Sequence, residues 1–513
     1  MTAKSRIPTD SPGAPALVVC TAAGAVRGRR EEGLVVFRGI PFAAPPVGEA
    51  RFQAPRPAHA WDGIRDAHAF GPPPPQDFGN LGGLESLDPP KGDDWLTVNV
   101  WTPEPDPAAL RPVMVWIYGG AYMFGHSGSP GYDARRIAAD GDVVVVSLNY
   151  RLGMEGFAAI EGAPANRGLL DQVAALEWVR DNIAGFGGDP DQVTVFGESA
   201  GAGSAASLLS MPRAAGLFGR VIAQSVPGTF FSGALARDVG LALAAEMGLR
   251  PTVADLSMVA PHRLTSAGAA LSSKMIHYVD RWGQAAPAVT PFSPVVDGDV
   301  LPTTPWQALA AGSAKNIDLL VGHNRDEYRL FTVIAGEQIT EDQASAALRL
   351  FAPGPDGEQT YRAAFPDAPA GELFERVQTD WLFNMPTLYL AEAQRSGGGT
   401  AHVYELTWPA PGIGGELGAC HALDIPLLFG TYGADLGALF FEGTEPSQDA
   451  LTLSSRFRSS WTSFARSGDP GWPTYDERRL VQVLDTMPVV TAYPEERSRR
   501  LWEGYNFNSL PLL

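Results

Sequence analysis

Cysteine is almost missing from this chain: Cys20 and Cys420 are the only two in 513 residues. That scarcity excludes a disulfide framework and fits a protein of a reducing compartment, most simply the cytoplasm. Long apolar runs are missing too. No stretch reaches the roughly 18 apolar residues of a membrane-spanning helix. Met1 to Val18 is polar and proline-rich, without the apolar core of a secretory signal. No Asn-x-Ser/Thr sequon occurs. Positive charge is the third shortage. With 38 Lys and Arg against 57 Asp and Glu, the net charge is −19, which argues against nucleic acid or an anionic membrane as partner. Finally, no repeat, Gly/Ser linker or low-complexity block divides the sequence. Length alone would suggest about three domains. The expectation is instead a loose tail over residues 1–17 and one domain over 18–513, as a monomer or small homo-oligomer.

What the chain does have is a series of short apolar runs rich in β-branched residues. Val113–Ile117, Val143–Leu148, Val193–Phe196, Val221–Ala223, Leu319–Val321 and Val403–Leu406 are separated by helical or loop segments. That alternation predicts an α/β fold with a large, mostly parallel central sheet covered by helices on both faces. Leu169–Ile183 reads as an amphipathic helix between two of the strands. About 232–291 and about 333–390 read as helical insertions capping the carboxyl edge of the sheet. Tyr278, Trp282, Trp381 and Phe383 lie in them, and one to three of these aromatics are expected to line a pocket.

The most specific motif is Phe196-Gly197-Glu198-Ser199-Ala200-Gly201. A buried strand, Gln192 to Phe196, leads into it, and a small-residue helix follows from Ala202. Gly-x-Ser-x-Gly between strand and helix is a nucleophile elbow. The serine occupies a strained turn, and the flanking glycines leave room for the close backbone crossing that exposes its Oγ. A serine alone is a poor nucleophile, so a base, an acid and an oxyanion site must accompany it. In the α/β-hydrolase arrangement acid and base follow in that order. Of the eight histidines, His262, His277, His323, His402 and His421 lie after Ser199. His402 sits inside an alternating strand, His262 and His277 in a polar helical stretch, and His323 in a turn with two acids. His421 follows a glycine-rich loop beyond a strand end, where a catalytic base belongs. The acid lies after the run Asp318–Gly322, and the local pattern leaves Asp326 and Glu327 equally open. The buried run Pro112–Tyr118 ends in Gly119-Gly120-Ala121. Consecutive glycines there let the Gly119 and Gly120 N–H groups face a site, with Ala200 N–H as third donor. No zinc-ligand spacing such as His-Glu-x-x-His occurs, and this chemistry calls for no metal or cofactor.

Together with the elbow, several longer motifs give a resemblance that spans roughly Val18 to Tyr505. They are Phe37-Arg38-Gly39-Ile40-Pro41-Phe42-Ala43-Ala44-Pro45-Pro46-Val47-Gly48, Leu96–Trp101, Asn149-Tyr150-Arg151-Leu152-Gly153, Gly168-Leu169-Leu170-Asp171-Gln172, Phe186–Pro190 and Phe464–Pro470. The chain resembles the type-B carboxylesterase family, and the resemblance implies hydrolysis of small-molecule carboxylic esters through an acyl-enzyme on Ser199. It also implies Glu327 as triad acid, His421 as base, Glu198 beside the triad, and a buried Ser225 after the next strand. Two buried ion pairs are implied, Arg151 with Asp171 and Arg51 with Asp93.

The chain departs from the family pattern at three places. Tyr118 stands where the family usually has His and Ala121 where it has a third Gly, changes expected to alter the pocket roof. Tyr328 follows the Asp-Glu pair in place of Gly. Pro74 and Trp95 occupy the positions of a common family disulfide. Two other functions are compatible with the same parts. One is amide cleavage, lactone formation or acyl transfer on this scaffold; the other is a non-catalytic binding protein, which would be expected to have lost the serine or the base.

Overall fold

The computed structural model describes residues 17–77, 91–336, 338–443 and 445–513. The expected N-terminal tail therefore lies, except for Leu17, outside the described residues. The apolar runs become strands of one sheet. In chain order its strands are β1 (Arg29–Glu31), β2 (Leu34–Pro41), β3 (Thr97–Thr102), β4 (Arg111–Ile117), β5 (Val144–Leu148), β6 (Gly188–Glu198), β7 (Arg220–Gln224), β8 (Asp318–Asn324), β9 (Ala401–Leu406), β10 (Leu480–Leu484) and β11 (Val489–Ala492). They lie side by side in the order β11-β10-β9-β8-β7-β6-β4-β5-β3-β2-β1.

From β5 to β10 every neighbouring pair is parallel. Antiparallel strands finish both edges. Every residue of β3, β5 and β9 is buried, as a sheet covered on both faces requires. Helices Ala200–Leu208, Met385–Ser396 and Gln448–Ser467 are among those packed on it. The last begins at Ser447, whose hydroxyl accepts the Ala450 N–H, and stops at a left-handed Gly468. No helix of the described residues is long and apolar enough to cross a membrane.

The topology places the site. After β4 the chain moves to one side to form β5; after β6 it moves to the other side to form β7. The order reverses between β4 and β6, and the crevice beyond the carboxyl ends of the strands opens at such a reversal. Residues 233–282 and 329–396 hold most of the remaining helices. A short parallel ribbon, Phe231–Ser232 with Val295–Val296, closes the base of the first group.

One expected ion pair forms and the other does not. Arg151 binds Asp171 at 2.7 Å with both side chains fully buried. Arg51 pairs with Glu155 at 2.6 Å, not with Asp93, which is exposed. The reason is burial. The Arg51 guanidinium lies inside the protein and also donates to the carbonyls of Ser257 and Val259. Its counter-charge has to be buried with it, and Glu155 is.

Candidate active site

The elbow is a consequence of missing side chains. Ser199 stands between β6 and helix Ala200–Leu208 at φ 55°, ψ −123°, a conformation costly for any residue but glycine. A Cβ on Gly201 would come within 2.0 Å of the Ile117 carbonyl oxygen, and one on Gly197 within 2.6 Å of Gly201 itself. Only glycines let the start of the helix press against the end of β4. Gly119 meets the same limit, since a Cβ there would lie 2.8 Å from the Glu198 carbonyl and 3.1 Å from Ser199 Cβ. Gly119, Gly120 and Ala200 line the same cavity as Ser199. Among the described residues none of their N–H groups has a backbone acceptor outside regular structure. That leaves donors beside the serine, at the positive end of the helix.

The other parts hang from the ends of β7, β8 and β9. His421 Nε2 is 2.9 Å from Ser199 Oγ, and its Nδ1 is 2.5 Å from Glu327 Oε2. Glu327 is fully buried. Its other oxygen accepts the Ser225 hydroxyl at 2.5 Å and the Asn324 N–H at 2.8 Å. Distant contacts send the two neighbouring carboxylates different ways. Asp326 turns to the backbone of Ala419, accepting its N–H at 2.9 Å, and lies 3.4 Å from both Arg325 and Arg329. His262 and His277 are exposed, His402 binds the Trp472 carbonyl, and His323 contacts the Tyr493 hydroxyl.

Two carboxylates act on the imidazole. Glu198 Oε1 is 3.2 Å from His421 Nε2. Burial opposes a proton on His421, but the negative charges of Glu198 and Glu327 outweigh it and raise the group to about 9. Burial, against the attraction of His421, raises Glu198 to about 8. The two shifts belong to one coupled pair. A negative Glu198 holds the proton on His421, and a proton on Glu198 releases it.

A mostly apolar cavity of about 320 Å³ opens above Ser199. Residues 288–290, 330–331, 334–335 and 382–383, from outside the central sheet, supply much of its wall. Of the four aromatics singled out in the sequence, only Phe383 lines it, stacked on His421 with ring centroids 4.3 Å apart. Tyr278 and Trp282 stack on each other, and Trp381 packs on Phe351. Ala121 lines the cavity, but Tyr118 does not reach the roof. Its ring is buried against Tyr150 and Tyr132, because the alternation along β4 carries it into the core.

Sequence reasoning missed a polar layer close to Ser199, His421 and Glu327. Asp424, fully buried, accepts from Gln224 Nε2 at 2.6 Å and the Tyr404 hydroxyl at 3.1 Å, while Trp461 Nε1 donates to Gln224 at 2.9 Å. Only the position of Asp424, three residues after His421, could have hinted at it. Among the described residues no group of three or more His, Cys, Asp or Glu could hold a metal ion.

Comparison with known proteins agrees with this geometry. Residues 15–353 match the carboxylesterase family. The chain is 36% identical to a para-nitrobenzyl esterase of Bacillus subtilis (strain 168) over 94% of this chain and 98% of that protein. It is 32% identical to carboxylesterase 1D of Rattus norvegicus, over 87% and 84%. A solved thermophilic para-nitrobenzyl esterase superimposes with a TM-score of 0.84 at 34% identity, covering 95% of this chain and all of that one. A carboxylesterase of Geobacillus stearothermophilus at pH 6.2 gives 0.81 at 36% identity, covering 95% and 100%. With its α/β-hydrolase sheet, its serine elbow and these relatives, the chain belongs to the carboxylesterase family and is a carboxylic ester hydrolase.

Proposed function

We propose that Ser199, His421 and Glu327 are the catalytic residues, that the N–H groups of Gly119, Gly120 and Ala200 form the oxyanion hole, and that neutral carboxylic esters are the substrates. The observation that carries this reading is the unbroken chain of contacts from Glu327 through His421 to Ser199 Oγ at the floor of an apolar cavity. Ser199 attacks the ester carbonyl while His421 Nε2 takes its proton. Glu327 keeps the imidazole oriented through Nδ1 and balances its positive charge. The tetrahedral oxyanion falls on these N–H groups, whose dipoles are already in place before charge develops. His421 then returns the proton to the leaving alcohol, and water repeats the sequence on the acyl-enzyme. Ser225 and Asn324 hold Glu327, and Glu198 sets the charge balance around His421.

The free thiols, one exposed and one buried, support a cytoplasmic location, and the net charge of −19 supports a role away from nucleic acid and anionic membranes. The catalytic assignment is tested by labelling with an organophosphonate and peptide mapping. The label is expected on Ser199 alone, and Ser199→Ala should lose about 10³-fold or more in kcat while melting normally. A label on another serine, or an active Ser199→Ala protein, would overturn it.

A further inference from the structure

The turn that carries Phe383 faces two cavities. Ala370–Thr379 and Met385–Ser396 are α-helices, and Asp380–Asn384 between them is a π-turn. In it the Met385 N–H reaches back five residues to the Asp380 carbonyl. Single π-turns inside helices are rare and gather at functional sites. Leu382 and Phe383 line the active-site cavity. The Leu382 carbonyl accepts the N–H of Gly228 at 2.8 Å, between Pro227 and Thr229 of the same wall. Asp380 and Asn384, both buried, line a separate polar cavity of about 90 Å³ instead. Asn384 Oδ1 has no hydrogen-bond partner among the described residues, so the tie on this side is at Asp380.

A buried carboxylate normally keeps a cation of its own. Asp380 shares one: Arg376, a turn earlier on the same course of helix, acts on it while pairing with Glu372 at 3.0 Å and Glu495 at 3.3 Å. Asp380 Oδ2 accepts the Tyr361 hydroxyl at 2.8 Å, and Tyr361 in turn accepts Trp502 Nε1 at 2.6 Å. Across the polar cavity stand Arg325, Asp326, Arg329 and Glu375, with Arg329 engaged by both acids. Tyr493, just past β11, stays protonated, because burial and then Glu405 and Glu495 push it up. Burial raises Asp380 to about 7, against Ser498, Tyr361 and Arg376 and with the help of Glu495. The carboxyl therefore exchanges its proton near neutrality, and the bond from Tyr361 is charge-assisted only in the ionised form.

We propose that Asp380 is a positioning residue for substrate selection: its charge tightens the π-turn on Tyr361 and fixes Leu382 and Phe383 as a wall, and its neutralisation lets that wall yield to larger esters. The proposal rests on the esterase reading of Ser199 and adds the residue that sets how large an ester fits. Competition between neutral esters tests it. On the acyl arm p-nitrophenyl octanoate competes with p-nitrophenyl acetate; on the alcohol arm hexyl butanoate competes with ethyl butanoate. The released acids or alcohols are separated by chromatography. Because kcat/KM reports the ionisations of the free enzyme, which both esters share, titration of His421 and Glu198 divides out of each ratio. On one arm the larger ester should gain about fivefold in relative kcat/KM from about pH 8 to about pH 6. Asp380→Asn, neutral throughout and still an acceptor for Tyr361, should hold the acid-side ratio at both pH values. Tyr361→Phe removes a donor to the charged form and should move the midpoint to higher pH. Ratios that are flat or rise with pH on both arms, or a fall that survives in Asp380→Asn, overturn the proposal and leave the esterase reading standing. Failure of the esterase reading would appear separately, as activity retained in Ser199→Ala.

Discussion

Asp171→Asn is the sharpest test of what holds this enzyme together, because it removes a charge and almost no volume. The two oxygens of Asp171 take Arg151 Nε at 2.8 Å, Nη2 at 2.7 Å and the backbone N–H at 3.0 Å. Arg167 is buried close by and, among the described residues, bonds only to carbonyl oxygens, those of Glu155, Pro164, Met154 and Ala158. Burial and then the charge of Arg151 lower its pKa to about 9. Arg51 and Glu155 complete the cluster. Without the Asp171 charge, three guanidinium groups share one carboxylate. Stranding a buried charge costs about 3–5 kcal/mol, and the neighbouring Arg167 places this variant near the upper end. At about 2.1 cal/mol/K per residue, a chain of this size unfolds with roughly 1 kcal/mol/K, so Tm should fall by about 5 °C. The assay pairs a melting curve with turnover per active site, counted by phosphonate titration. Turnover per site should stay within about twofold. Arg151→Met combined with Asp171→Leu should recover most of the loss, since an apolar pair of similar volume replaces the ions. A variant that melts normally but turns over slowly would refute the structural role.

Glu198→Gln removes one of the two negative charges that hold the proton on His421, so the acid limb of kcat/KM should move to lower pH; a pH-rate profile with an unmoved or raised limb would contradict the coupling. Glu327→Gln should lower kcat by about 10³–10⁴-fold, whereas Asp326→Asn, which keeps an acceptor for Ala419, should stay within about tenfold; equal losses in parallel assays would reverse the assignment. Ala121 stands at φ 54°, so Ala121→Gly should relieve backbone strain, leave stability within about 1 kcal/mol and raise activity on esters of tertiary alcohols relative to primary ones. Equal rates on the two classes in the unmodified enzyme would show that Ala121 does not shape that wall.

Features were legible in the sequence to the extent that they are local. The elbow declares itself because strand, serine turn and helix are contiguous and each glycine answers a backbone contact within the same stretch or with the end of β4. The apolar runs marked β4 to β9, but β10 and the edge strand β11 carry a weaker signal, β11 being largely exposed. The choice between Asp326 and Glu327 could not be made from spacing, because both sit on one turn. Ser225 and the Asn324 N–H claim one acid, and the backbone at Ala419, 93 residues away, claims the other. The Arg51 partner and the polar layer close to Ser199, His421 and Glu327 failed to show for the same reason. Glu155 is 104 residues from Arg51, and Asp424 is 200 from Gln224. Which buried acid meets which donor is decided by how the sheet closes.

The contact between Gly201 and the end of β4 has a consequence for how this enzyme can fail. The same joint fixes the height of the serine and the position of Gly119, so one added methyl group pries Ser199 and Gly119 apart together while wedging the helix off its sheet. In a mutational scan, substitutions at Gly197 and Gly201 should therefore be missing from the soluble fraction, whereas those at Ser199 should be abundant and silent. Expression level and activity, read side by side, would separate the hinge from the blade.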